Sequence, residues 1–364
     1  MRVGVFLRFA AGCLMLSGIL ILLCSSAACE DAPSPTEYIY SALVACEAEI
    51  DVAEYALDRA AAVEILRDLL CNSPELFYVS GKISYSYGSD GRLLTLTPAY
   101  KVAGKELDAQ RKFYTDTVVK MLSEADTLQG EAELALYIHD AIASKFEYDT
   151  DHKNYDAYSL FRDGRGVCQA YSLGFIALCH EAGLEAKTVI SDAMDHAWNA
   201  VKIDGEWYHI DVTRADPISD ESPSKAVLHK AFLRSDAAMA SLGYHGYNTD
   251  ISCKSTRFEK DGRGILEDIS EAVIFRQNGA FAARGTSVVR VDLATPHLIP
   301  LPFGDIDGDG AADARDIAIL LVGDSDSLLP FTMTDTDKLG ALILEDILKK
   351  YTSDGSISGA VGGG

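Results

Sequence analysis

Positive charge is scarce in this chain of 364 residues, where 32 Lys and Arg face 55 Asp and Glu, for a formal charge of −23. Such a balance argues against nucleic acid and anionic lipid as partners. Tryptophan is nearly missing, and its two copies, Trp198 and Trp207, read as packing and shielding residues. Long apolar runs are lacking beyond the amino terminus. There Arg2 and Arg8 precede the apolar stretch Phe9–Leu23, which is followed by Ser25-Ser26-Ala27-Ala28. This is the pattern of an export signal, residues 1–28, too short for a comfortable transmembrane span. Cleavage after Ala28 would leave Cys29 at the new terminus, where a lipid anchor is possible, although Ser26 stands where an aliphatic residue is usual. Cysteine is sparse as well. Cys29, Cys46, Cys71, Cys168, Cys179 and Cys253 remain after cleavage, too few for a disulfide framework in a chain this long. Cys46 and Cys71 lie near the ends of two expected helices and could pair.

What is present is ordinary globular material, 48% apolar and 24% charged, enough for one sizeable core plus a small module. Helical periodicity marks Glu37–Asp51, Ala60–Leu70, Lys105–Ser123, Glu131–Ser144, a run from the Cys168 region to Ala182, and Lys225–Leu242. Alternation marks a hairpin at Lys82–Tyr87 and Leu93–Leu96. Strands are also expected at Ala186–Ser191, His196–Thr213, Ala272–Phe275 and Val288–Val291. Pro296, Pro300 and Pro302 read as a linker.

Three stretches carry chemistry: Gly166-Val167-Cys168, His196-Ala197-Trp198-Asn199, and Trp207 to Asp211. Cys168 opens a helix apolar on nearly every side, so the helix is expected to be buried with its positive dipole end near the thiol, which favours the thiolate. Cys179 lies roughly 16 Å further along that helix at about 1.5 Å per residue, out of disulfide reach. The Asp204-Gly205 pair predicts a two-residue hairpin turn with Ile203 opposite Glu206 and Trp198 opposite Asp211. His196, Trp198, Trp207, His209 and Asp211 then share one face, and His196 and Asp211 become diagonal neighbours. A slip of one residue would send Asp211 to the other face. Cys168 as nucleophile, His196 as base and Asp211 as the group that orients the base form a thiol-enzyme triad. A helix-start amide, with a hydroxyl from Tyr148, Tyr155 or Tyr158, would hold the oxyanion. His209 reads as a bystander on the shared face.

These motifs resemble the transglutaminase-like superfamily: Gly-Val-Cys opening a helix, a His-Ala-Trp-Asn strand, then Trp-Tyr-x-x-Asp-x-Thr-x-x-Asp-Pro, here Trp207–Pro217. The likeness spans roughly residues 130–217. It implies a papain-like α+β core, a central helix packed on an antiparallel sheet, with Cys168, His196 and Asp211 catalytic. Gln169, where many relatives carry Glu, and Arg214, where Trp is common, depart from the pattern. The superfamily holds transamidases, peptidases and inactive members, so the fold leaves reaction type open.

The acid concentrates after Gly304. Asp305, Asp307, Asp309, Gly310, Asp313 and Asp316 occupy positions 1, 3, 5, 6, 9 and 12 of a calcium loop, with the Ala311 carbonyl completing the oxygen set. Asp335, Asp337, Gly340 and Asp346 repeat the pattern with Leu339 at position 5, so the second loop is expected to bind weakly or not at all. Paired loop–helix repeats with Asp at position 12 resemble a dockerin, a small α-helical module that calcium folds and that docks onto a cohesin domain of a scaffold protein. By that resemblance Ala314 and Arg315 fall where cohesin is contacted.

The expected organisation is therefore a signal peptide at 1–28, a helical and β-hairpin region at 30–125, a catalytic core at 126–220, an accessory region and linker at 221–302, the calcium module at 303–354, and a disordered tail at 355–364. The expected function is a secreted cysteine hydrolase or peptidase cleaving amide bonds of proteins or peptides, attached to a cellulosome-type complex. The alternatives are a crosslinking transamidase and a silent binding module.

Overall fold

A computed structural model describes residues 32–125, 128, 130–216, 226–247, 250–276, 279–284 and 287–300. The signal segment and all the calcium-loop positions, Asp305, Asp307, Asp309, Ala311, Asp313 and Asp316, lie outside the described residues.

The elements in chain order are α1 (Pro35–Val44), β1 (Ile50–Asp51), α2 (Arg59–Asn72), β2 (Val79–Tyr87), β3 (Leu93–Tyr100), α3 (Gly104–Met121), α4 (Glu131–Lys145), β4 (Glu147–Tyr148), α5 (Ala157–Asp163), β5 (Arg165–Gly166) and α6 (Cys168–Glu181). They continue as β6 (Ala186–Ser191), β7 (His196–Ile203), β8 (Glu206–Ile210), α7 (Asp236–Ser241), β9 (Glu259–Lys260), β10 (Arg263–Gly264), β11 (Ile274–Arg276), β12 (Gly279–Arg284), β13 (Ser287–Asp292) and β14 (His297–Pro300). Among the described residues, helices and mainly antiparallel strands form two compact units, one within 32–65 and 82–98, the other within 66–81 and 99–300. In the smaller unit, Pro35 and a Ser34–Glu37 capping box start α1, whose Ile39, Ala42 and Leu43 are buried. The helix ends at Val44, short of the expected Asp51. Cys46 takes φ +57, and Ile50–Asp51 instead pairs with Leu96 and Thr95 of β3.

The larger unit is organised around α6. Every residue from Ala170 to Cys179 is buried, because α3, α4 and α5 pack on some of its faces and β6 and β7 on another. That is how a helix apolar all round reaches its lowest free energy. Two close approaches depend on glycine. A Cβ on Gly174 would sit 2.7 Å from a Leu160 methyl, and one on Gly166 would sit 2.6 Å from the Ala170 Cβ. β6, β7 and β8 form an antiparallel sheet in that order. The β7–β8 turn has positive φ at both Asp204 (+50) and Gly205 (+88), the conformation a type I′ hairpin turn requires. Its register pairs Ile203 with Glu206, Val201 with Tyr208 and Asn199 with Ile210, as the Asp-Gly signal predicts.

Two expectations change. Within the stretch read as a helix from Lys225 to Leu242, only Asp236–Ser241 is helical among the described residues. Arg234 instead exchanges both backbone hydrogen bonds with His209, and Ala231 accepts one from Asp211. The Pro296–Pro302 linker contains β14, the outer strand of a four-stranded meander, where Pro300 ends the strand at an edge that tolerates proline. No disulfide joins the described cysteines, Cys46 and Cys71 included.

Candidate active site

Cys168 stands at the mouth of α6, partly exposed, on a turn that is tied down from both sides. β5 pairs in parallel with β4, Tyr148 opposite Gly166. The Val167 N–H donates to the Asn154 carbonyl at 3.0 Å. Asn154 is itself held by Asp149, whose carboxylate accepts the backbone N–H groups of Asp151, Lys153 and Asn154 at 3.1, 2.8 and 2.9 Å. Burial works to raise the Asp149 pKa, and those three bonds outweigh it and lower it.

His196 opens β7 and Asp211 follows β8, and the hairpin register brings them together. His196 Nε2 lies 2.7 Å from Asp211 Oδ2, with the acid fully buried and the imidazole 11% exposed. With Nε2 engaged by the acid, Nδ1 is the ring nitrogen left free to serve the neighbouring Cys168, whose thiol contributes to raising the imidazole pKa. Burial disfavours the imidazolium, but the bonds to Asp211 and Cys168 and their charges prevail and push the His196 pKa up to about 9. Of the three side chains nominated from sequence, His196 and Asp211 meet directly, and Cys168 acts on the same imidazole through its pKa.

Supporting residues surround the pair; Asn199, Arg214 and Asp216 belong to the motif stretches, whereas Tyr244 carried no sequence signal of its own. Tyr244, 3% exposed, donates its hydroxyl to the same Asp211 Oδ2 at 2.5 Å. Asp211 Oδ1 accepts the Arg214 N–H at 3.1 Å, and the Arg214 guanidinium lies over the Tyr244 ring at 4.9 Å. Asn199 donates to the Ser172 carbonyl at 3.2 Å, which joins the His196 strand to the Cys168 helix one turn above the thiol. Asp216 accepts the Tyr171 hydroxyl at 2.5 Å and anchors the segment after Asp211 to the same helix. Of the three tyrosines considered for the oxyanion, Tyr148 feels the thiol: burial, then the Cys168 charge, raises its pKa. Tyr158 instead stacks on Phe77 at 4.8 Å.

Trp198 stacks on the His196 ring at 5.8 Å and donates its indole N–H to His209 Nδ1 at 3.1 Å. His209 Nε2 in turn meets Asp236 Oδ1 at 2.9 Å. His209, read as a bystander, thus braces the tryptophan. The same contacts bear on metal binding. His209, Asp236 and Cys253 cluster with donor atoms within 4.8 Å, but a His209 that accepts at Nδ1 carries its proton on Nε2, so that nitrogen donates to Asp236 and has no lone pair for a metal. A second cluster, His139, Asp140 and His229, is wholly buried. Asp140 Oδ1 meets His139 Nδ1 at 2.7 Å and His229 Nε2 at 2.9 Å, and Oδ2 accepts the Val273 N–H at 2.7 Å. His229 Nδ1 lies 3.0 Å from the Ile269 carbonyl. Both His229 nitrogens face acceptors, so this is an imidazolium–carboxylate pair. Burial opposes it, yet His229 is shifted up and Asp140 down by their mutual charge.

Comparison with known proteins agrees with the motifs. Residues 118–212 match the sequence model of the transglutaminase-like superfamily. The mouse kyphoscoliosis peptidase is 27% identical over 171 residues, 40% of this chain and 25% of that protein. The human kyphoscoliosis peptidase is 28% identical over 130 residues, 30% of this chain and 19% of that protein. The chain thus spans a quarter or less of the length of these relatives. A solved structure described as a TGase aligns at 14% identity and a TM-score of 0.27, covering 44% of this chain and 50% of that one. Around its cysteine helix and histidine hairpin, the chain is thus similar in sequence to the transglutaminase-like superfamily.

Proposed function

We propose that the chain is a thiol hydrolase acting on amide bonds of proteins or peptides. The observation that carries this reading is a single imidazole bonded to a buried carboxylate at 2.7 Å through one nitrogen, with a helix-mouth thiol among the groups that raise its pKa. Cys168 Sγ gives its proton to His196 Nδ1 and attacks the substrate carbonyl carbon. The carbonyl π electrons move to oxygen, where the Cys168 backbone N–H and the Tyr148 hydroxyl are the nearby donors. Collapse of the tetrahedral adduct re-forms the carbonyl and breaks the C–N bond, while His196 returns its proton to the departing amine. Water, deprotonated by the same imidazole, then cleaves the thioester and restores the thiol. Asp211 holds the tautomer and stabilises the imidazolium throughout. An amine replacing the water would give transamidation instead.

The acidic loop 305–316 supports a further part of the reading, that calcium held by Asp305, Asp307, Asp309, Ala311, Asp313 and Asp316 folds a dockerin-like module that docks the enzyme onto a cohesin outside the cell. The amino-terminal signal pattern supports export. Purified chain incubated with a casein-like substrate and a primary amine, under reducing conditions with calcium, tests the enzyme by mass spectrometry. New peptide termini identify a peptidase, and amine incorporation at Gln identifies a transamidase. Neither product, together with iodoacetamide labelling of Cys168 as slow as that of Cys179, refutes the enzyme and leaves a silent binding module. Calcium-dependent capture of a cohesin by the full chain tests the docking half separately, and no capture across several cohesin types overturns it.

A further inference from the structure

A cleft of about 220 Å³ opens beside the start of α6. Its apolar surface comes from Leu76, Phe77, Val79 and Leu173, all buried, with Gln169 and Tyr155 among the residues around it. Gln169 directly follows Cys168. Tyr155 directly follows Asn154, whose carbonyl clamps Val167, the residue before the thiol. Two of the residues lining the cleft thus adjoin, along the chain, the segments that form and clamp the nucleophile's turn.

Its charged groups are already matched. Lys101 Nζ donates to the Phe77 carbonyl at 2.7 Å and to Asp156 Oδ2 at 2.9 Å, and Asp156 Oδ1 accepts the Ser159 N–H at 2.8 Å at the start of α5. The ammonium and the carboxylate neutralise one another, so a charged group entering the cleft would lose hydration and find no unmatched opposite charge. An apolar group would lose nothing and would cover buried aromatic and aliphatic surface.

We propose that this cleft is a substrate subsite that takes one large uncharged side chain, aromatic or aliphatic, from a residue next to the amide bond that Cys168 attacks. The inference rests on the thiol-hydrolase reading and adds a substrate class to it, namely polypeptides with a bulky apolar residue beside the cleaved bond. It also gives the segment 66–81, which precedes the matched domain, a part in substrate recognition.

The test uses the full chain and a panel of short peptidyl vinyl sulfones, identical except for Phe, Leu, Gly or Lys at either of the two residues nearest the electrophile. Modification of Cys168 is followed by intact-protein mass spectrometry, with iodoacetamide as a control that has no side chain to place. Phe and Leu probes are expected to react at least ~10-fold faster than Gly and Lys probes at one of the two positions. Two variants then fill the cleft. Ser73→Phe removes no capping bond, and Gly81→Leu places its new side chain where a Cβ meets nothing within 4 Å. Each is expected to bring the preference to within about 3-fold while leaving the iodoacetamide rate unchanged. Equal rates across the panel, or a preference that survives both variants, would overturn the subsite while leaving the thiol chemistry standing. Failure of every reagent, iodoacetamide included, to single out Cys168 would overturn the thiol reading and the subsite with it.

Discussion

Replacing Asp211 by Asn keeps the shape of the site and reverses its proton arrangement. In the wild type, Asp211 Oδ2 is a pure acceptor for His196 Nε2–H, so Nδ1 presents a lone pair to the thiol. An Asn that retains the Arg214 N–H bond through its oxygen presents an N–H to His196 Nε2 instead. The ring proton then moves to Nδ1, facing Cys168, and the imidazole can no longer accept from sulfur. The magnitude follows from the rise of the His196 pKa from 6.5 to about 9. At ~1.36 kcal/mol per pH unit this is roughly 3 kcal/mol in favour of the imidazolium, net of the burial that opposes it. The Cys168 bond supplies part of the rise, so Asp211→Asn should slow alkylation of Cys168 by iodoacetamide at pH 7 by about 10-fold or more, with a ceiling near 300-fold. The measurement is the alkylation rate across pH, with circular dichroism to establish that the variant is folded. A folded Asp211→Asn protein that alkylates within about 3-fold of wild type at neutral pH would refute the idea that the acid orients the base.

Other outcomes follow from neighbouring contacts. Tyr244→Phe removes a donor to the buried Asp211 carboxylate, a bond of the kind worth about 1.5–3 kcal/mol, and should lower both thermal stability and the Cys168 alkylation rate; an unchanged rate would show that the hydroxyl serves packing alone. Asp140→Asn leaves the His229 imidazolium buried beside a neutral amide and should cost about 3–5 kcal/mol in urea unfolding, as breaking a buried pair does. A loss below about 1 kcal/mol would mean that His229 is neutral in the folded protein. His196 binds its proton more tightly folded, at about 9, than at the ordinary 6.5, so its stabilising contribution is complete below about 6.5 and is lost as the pH rises through about 9. Melting temperature should therefore fall over that interval, and His196→Gln should flatten the fall; an identical slope in the variant would assign it to other groups.

The features legible in the sequence are those set by short-range chemistry. Asp204-Gly205 dictates its turn, the turn dictates the register, and the register puts His196 and Asp211 on one face. The apolar surround of α6 is likewise written in ten consecutive residues that need no solvent-facing side. Contacts between distant segments left no local trace. Tyr244 reaches Asp211 across 33 positions, and Asp140 meets His229 across 89. Competition between local and distant bonding also explains the shortened helix before Leu242. Ala231 and Arg234 have helix-compatible neighbours, but their backbones satisfy Asp211 and His209 and so cannot serve a helix.

Because the Trp198 indole N–H is bound to His209, its ring is fixed as a flat wall against His196. One face of the imidazole is thereby covered by indole, so any substrate that reached the ring would have to approach it from another side.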